Sequence, residues 1–267
     1  MMIKRDKSNY TIQSVSHALD ILESFTKTED ELGVTALSKR LGLHKNNVFR
    51  LLATLEHRGY IEQNATSENY RLGPKTLQIG AIFIEHRECR RQARPILEGL
   101  TAASGETSVV AVLRGNKVIY MDSVETTRTV RAVSRIGAMF PAQCTAVGKV
   151  QLAVLPAAEI GRLYPELNLP PVTDKSIKTR DVLLAELKKV AANGYALEDE
   201  ESDLDVRSIA VPVRDFAGNV IGAAGIVAPS HRLTDEVIEK GGLLAMVKEA
   251  GLAISMKMGF MGSSGKK

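Results

Sequence analysis

Five polar side chains in the stretch GLHKNNVFRLLATLEHRGYI, from Gly42 to Ile61, are of the types that read DNA: Lys45, Asn46, Asn47, Arg50 and Thr54. An asparagine amide can pair bidentately with adenine, and an arginine guanidinium can pair with guanine or clamp a phosphate. Val48, Leu51, Leu52 and Leu55 recur at steps of three, one and three, the apolar stripe of an amphipathic helix. The polar side chains fall on the opposite face. Any surface helix has such a face, so the neighbouring elements must decide what this one does.

Those neighbours are short. Val15, Ala18, Leu19, Leu22 and Phe25 share one face of a first predicted helix, with Ser14 as its N-cap. A second helix is predicted over 35–41, with Ala36, Leu37 and Leu41 inward and Gly42 as its stop. Two short helices joined by a glycine turn have the spacing of a helix-turn-helix. Beyond Gly59, Tyr60-Ile61 and Tyr70-Arg71-Leu72 read as two strands around the polar turn 64–69, a wing whose Asn64 and Arg71 can touch the DNA backbone. The net charge of +4 points the same way, because residues 96–267 carry equal numbers of acidic and basic side chains. All the excess positive charge therefore lies toward the N-terminus, as expected of a part that meets a polyanion.

A second group of candidate residues lies downstream. In TAVGK, Thr145 is placed to cap a helix from Ala146, leaving the amides of 146–148 free for an anion; the same pattern also describes an ordinary capped helix. The acidic run LEDEESDLD, from 197 to 205, reads by composition as a solvated loop. Enzyme chemistry finds little footing. Four of the five histidines (His17, His44, His57 and His86) lie in the helical first third, so a catalytic triad in the second part would rest on His231 alone. No G-x-S-x-G elbow, H-E-x-x-H pair or nucleotide P-loop occurs. Cys144 reads as a small pocket residue rather than a nucleophile. No metal or cofactor is expected.

The length of 267 residues suits two ordinary domains, and no apolar run approaches the roughly 18 residues of a membrane helix. Two distant cysteines, Cys89 and Cys144, and the lack of a signal-peptide pattern fit a cytoplasmic protein. The chain reads as α+β with two domains: a flexible arm at 1–11, a winged helix-turn-helix at 12–74, a linker helix at 75–90, an α/β domain with a mostly antiparallel sheet at 91–258, and a flexible tail at 259–267. The linker's apolar residues Leu77, Ile79, Ile82 and Phe83 offer a dimerisation face, and Pro95 can kink or split the helix that follows. In the second domain, hairpins turn at Gly115-Asn116 and at 217–219. A further strand is expected in TVRAVSRIG, helices from Ala146, in AAEIGRLYPE and in TRDVLLAELKKVAANG, and one long last helix capped by Thr234.

Several pieces in order, SVSHALDILESF, TALSKRLGLHKNNVFRLLATLEHRGYIE, YRLG, PAQCTAVGK, GYALEDEE, VRSIAVPVRDFAGNVIGA and APSHRLT, resemble the IclR family of bacterial transcription regulators over almost the whole chain. The resemblance implies a GAF-like effector-binding domain, a homodimer or dimer of dimers, and control of a catabolic or stress operon through double-stranded operator DNA, by family habit as a repressor. It implies an effector site built from Met121, Gln143, Cys144, Thr145, Ala146, Gly148, Glu198, Glu201, Ser208, Ala210, Gly225 and Val227, with Glu198 and Glu201 near its mouth. A metabolite-binding enzyme of small organic acids is the rival reading. The sequence departs from the family pattern in places. His44-Lys45-Asn46-Asn47 stands where a proline, a basic residue and a hydroxyl residue are usual. Gly225 to Pro229 replaces Ser-x-Ser-Gly-Pro, Gln143 replaces a frequent His, and Ser208 a frequent Cys. These changes imply a different base preference and an effector larger or more apolar than glyoxylate.

Overall fold

The computed structural model describes residues 11–26, 28–85, 88–133, 135–239 and 242–261, excluding the side chains of 80–89. The chain divides into two compact units between residues 86 and 87.

The first unit holds α1 (Gln13–Glu23), α2 (Val34–Leu41), α3 (Lys45–His57), β1 (Ile61–Gln63), β2 (Tyr70–Leu72) and α4 (Pro74–Glu85). Gly42 ends α2 in the left-handed conformation, φ +66°, and its amide bonds to the Ser38 carbonyl. Only a residue free of Cβ strain turns the chain so sharply into α3. Ile21, Leu37, Val48, Leu52, Leu55, Ile61 and Tyr70 form the core. Strands β1 and β2 pair antiparallel, Glu62 opposite Arg71, and an isolated bridge adds Leu32 beside Tyr70. The inward stripe of α1 is rotated from the expected one. Ile21 is fully buried with Ala18, Leu22 and Phe25 around it, whereas Val15 and Leu19 are exposed. Ile12 takes the N-cap position without a side-chain bond, so Ser14 is not the cap. Leu77 and Ile79 of α4 are exposed; Ile82 and Phe83 lie outside the described side chains.

The second unit is a six-stranded sheet between two helical layers. It comprises α5 (Glu88–Ser104), β3 (Thr107–Arg114), β4 (Lys117–Val124), β5 (Met139–Pro141), α6 (Ala146–Leu152), α7 (Ala157–Leu163), α8 (Arg180–Asn193), β6 (Ala196–Asp199), β7 (Val206–Arg214), β8 (Val220–Pro229), α9 (Asp235–Glu239) and α10 (Leu243–Lys257). The strand order is β5-β4-β3-β8-β7-β6, and every neighbouring pair is antiparallel. Alternation sends Val109, Ala111, Tyr120, Ala210, Ala223 and Val227 to one face, against Val147, Val150, Ile160 and Leu183 of α6–α8. Val110, Val112, Ile209, Val211 and Ile226 face α5 and α10.

Two expectations fail here. Residues 129–133 and 135–137 form no strand. Val130 and Val133 are exposed, and side chains hold the segment instead: Thr107 Oγ1 donates to the Ala132 carbonyl and Arg232 to that of Val130. The last helix is divided, because Gly242, φ +74°, interrupts it before α10. Helix α5 runs through Pro95 without splitting. Strand β6 was not expected; it begins the acidic run.

Candidate functional site

Helix α3 buries Val48, Leu52 and Leu55 and exposes Lys45, Asn46, Asn47, Arg50 and Thr54. Among the described residues, the side chains of Lys45, Asn46, Asn47 and Arg50 make no intramolecular hydrogen bond or ion pair. Four long polar side chains thus stand with all their donors available. Thr54 is partly committed, since its Oγ1 donates to the Arg50 carbonyl at 2.9 Å. Asn47 and Arg50 also border a groove of about 560 Å³ that α3 makes with Gln13 and His17 of α1.

The wing is more occupied than its sequence implies. Arg71 Nε contacts Glu62 Oε1 at 2.7 Å across the hairpin. Asn64 builds the turn rather than offering itself to a ligand: its Nδ2 donates to Glu31 at 2.7 Å, and its Oδ1 accepts from the Thr66 and Ser67 amides. Those bonds from Asn64, then from Ser67, hold the Glu31 carboxyl below its ordinary range.

In the second unit, eleven of the twelve expected effector residues lie on or beside the sheet face covered by α6–α8. Met121 does not. A bulge at Val110/Ala111 leaves it unpaired, and its side chain joins Ala93, Leu97 and Val110 on the opposite face. Two glycines are explained by backbone packing. A Cβ on Gly148 would meet the Ala142 carbonyl oxygen at 2.1 Å, and one on Gly225 the Ile209 carbonyl oxygen at 2.1 Å. Thr145 caps α6 by accepting from the Gly148 amide at 3.1 Å, so that amide is not free for an anion.

The acidic run is not solvated where it matters. Glu198, on β6, is buried. Its Oε1 accepts from the amides of Glu201 and Ser202 and the Ser202 hydroxyl, and its Oε2 from the Ser208 hydroxyl at 2.7 Å. Burial outweighs these bonds and pushes the Glu198 carboxyl up. Glu201 forms a buried ion pair with Lys149, whose Nζ also donates to the Leu197 carbonyl at 2.8 Å. Gln143 Oε1 accepts from Tyr164 at 3.1 Å. Cys144 is fully buried, and that burial raises its thiol, the reverse of what a nucleophile requires.

Lys149, Tyr120, Arg135 and Asp203 belong to the same cluster and were missed. The Tyr120 hydroxyl is pushed up to about 12, first by burial, with Glu198 and Asp203 adding to the shift and Arg135 opposing it. Arg135 ion-pairs with Asp203 and lies 4.3 Å over the Phe140 ring, which meets the Tyr120 ring edge-on at 5.8 Å. Lys149 closes the TAVGK segment, but a lysine reads in sequence as exposed, and only the packed structure shows its helix wholly buried. Nothing in the sequence near Arg135 marked it. Two buried polar atoms here, Glu201 Oε2 and Ser123 Oγ, have no hydrogen-bond partner among the described residues. Ser123 pairs in register with Val109, which faces α6–α8.

Comparison with known proteins gives one answer. The family model for the IclR helix-turn-helix domain matches residues 14–65, and that for the bacterial transcriptional regulator IclR C-terminal domain matches residues 81–256. The HTH-type transcriptional regulator XynR of Escherichia coli (strain K12) is 34% identical over 249 residues, 93% of this chain and 98% of that protein. The regulator KdgR of the same organism is 31% identical over 255 residues, 96% of each chain. The crystal structure of an IclR transcriptional regulator from Alicyclobacillus acidocaldarius matches with a TM-score of 0.81 at 26% identity, over 94% of this chain and 100% of that one.

Proposed function

The chain belongs to the IclR family of bacterial transcriptional regulators, and from that premise we propose that it represses a catabolic operon as a homodimer or dimer of dimers and answers to a small organic effector. It is a DNA-binding regulator and not an enzyme, as its relatives are. In this reading Lys45, Asn46, Asn47 and Arg50 enter the major groove, while Thr54 and Arg71 sit against the backbone. Two copies read a pseudo-palindrome with half-sites about one helical turn, or a multiple, apart. The effector, a small carboxylate or aromatic molecule, is held on the α6–α8 face among Tyr120, Gln143, Glu201 and Ser208. It acts by binding one arrangement of the paired DNA-binding units better than the other.

The observation that carries the reading is the row of four unpaired polar side chains on α3, within a matched helix-turn-helix. Mobility-shift titration of the full chain on the DNA upstream of its own gene tests it. Arg50→Ala should weaken binding by roughly 1–3 kcal/mol if Arg50 reads a base. Unchanged affinity would remove Arg50 from the interface. The same duplex, titrated with a panel of small aliphatic and aromatic carboxylates, tests the sensor: an active compound should release wild type at a lower concentration than a Ser208→Val variant.

A further inference from the structure

Phe49 is the one large apolar residue of α3 that takes no part in the core of its unit. Its neighbours Val48, Leu52 and Leu55 are buried and Leu51 packs against them, whereas Phe49 is 56% exposed. Among the described residues its ring meets no other ring and no cation. A helix advances about 100° per residue, so Phe49 stands roughly a third of a turn from the buried stripe, at the edge of the polar face. Asn46 lies one turn before it, Arg50 beside it, and the small Ala53 one turn after it. Lys45 lies four residues before it.

That setting selects an occupant. The free donors around Phe49 suit base edges and phosphates, yet the ring itself offers only apolar surface. The major groove displays one apolar group, the C5 methyl of thymine. Positions 46 and 49 are about 4.5 Å apart along the helix axis, close to the roughly 3.4 Å between successive base pairs. An asparagine on adenine at position 46 therefore places residue 49 near the next pair in the groove.

We propose that Phe49 is a specificity residue that recognises thymine through its C5 methyl group, one base pair along from the base contacted by Asn46. The proposal rests on the DNA-reading role of α3 and goes beyond it by naming a base and the atom by which it is read. Phe49 contributes no hydrogen bond; it discriminates by apolar contact, and cytosine or uracil at that place leaves the ring against polar edges or a gap.

The test uses the full-length chain and a duplex selected by it from a random pool. Each thymine is replaced in turn by uracil, which removes only the methyl. Wild type should lose about fourfold in affinity for each contacted methyl, the factor corresponding to one buried carbon. Phe49→Ala should bind the thymine duplex more weakly and bind thymine and uracil duplexes equally at that position. A wild type indifferent to uracil at every position overturns the proposal, as does an alanine variant that still discriminates. A Phe49→Ala chain with an altered oligomeric state or a strongly lowered melting temperature also overturns it, because protein then covers the ring. If the pool yields no enriched sequence, the DNA reading of α3 falls, and the proposal with it; an enriched sequence indifferent to uracil sinks the proposal alone.

Discussion

Glu198 shows how far a single residue's role departs from its composition class. It sits in a run of acids, and acids in a run are expected in water. The strand carrying it turns it inward, where it accepts four hydrogen bonds, one of them from Ser208 ten residues away. Its carboxyl is raised from an ordinary 4.5 chiefly by burial. The folded chain thus holds the Glu198 proton more tightly than the unfolded chain does. That contribution to stability is intact below pH 4.5 and is lost as pH rises through the raised value. Glu198→Gln cannot ionise, and the Ser208 hydroxyl can turn round to accept from its amide. Urea unfolding across pH 4 to 8 should show wild type losing stability relative to Glu198→Gln as pH rises. The opposite trend would mean that Lys149 holds Glu198 ionised. The resemblance to a family was the only sign in the sequence that set Glu198 and Glu201 apart from the rest of the acidic run. Lys149, the partner of Glu201, is 52 residues away in sequence, so no local spacing revealed the pair. Met121 was misplaced for a similar reason, since a bulge is a property of two strands and not of one.

The elements divide by whether their causes are local. The two helices joined at Gly42 were legible because the cap, the turn and the apolar period all lie within some twenty residues. The hairpin of β3 and β4 was legible from Gly115-Asn116, where Gly115 takes φ +61°. The expected strand in TVRAVSRIG failed because alternating valines promise a half-buried surface only if a sheet edge is there to receive them. The edge of β4 over 117–119 is already taken by β5. Glycines separate in the same way. Gly42 has open space where a Cβ would go, so Gly42→Ala should cost only the left-handed backbone strain, about 1 kcal/mol. Gly225 has β7 backbone 2.1 Å from that point. Gly225→Ala must push two central strands apart and should cost about 3 kcal/mol or more. Chemical unfolding of the two variants side by side checks the contrast. Equal losses would show that β8 shifts easily, which would return Gly225 to the list of ligand contacts.

At the scale of the whole molecule, the charge distribution separates affinity from specificity. The division into two units and the antiparallel sheet were both legible, since each unit carries its own run of hydrophobic periods. The sheet's two buried faces, by contrast, could not be told apart without its strand order. The charge asymmetry is a plain sequence fact: residues 96–267 are electrically balanced, so the excess positive charge lies ahead of them. Three cations stand on α3 and the wing strands, the elements that the proposed reading sets against DNA: Lys45, Arg50 and Arg71, the last shared with Glu62. Neutralised phosphates release counterions, and the salt slope counts them at about 0.9 per phosphate on duplex DNA. Each bound chain should therefore contribute a slope of no more than about 3 in log affinity against log salt. Arg71→Ala should reduce it by up to about 1 per chain and weaken selected and unselected sequences alike. Asn46→Ala should leave the slope unchanged and weaken the selected sequence alone. A wild-type slope well above that bound would bring in cations outside α3 and the wing, Lys39 of α2 or Lys4, Arg5 and Lys7 ahead of α1 in sequence, as phosphate contacts. A slope untouched by Arg71→Ala would leave Arg71 paired with Glu62 and off the backbone.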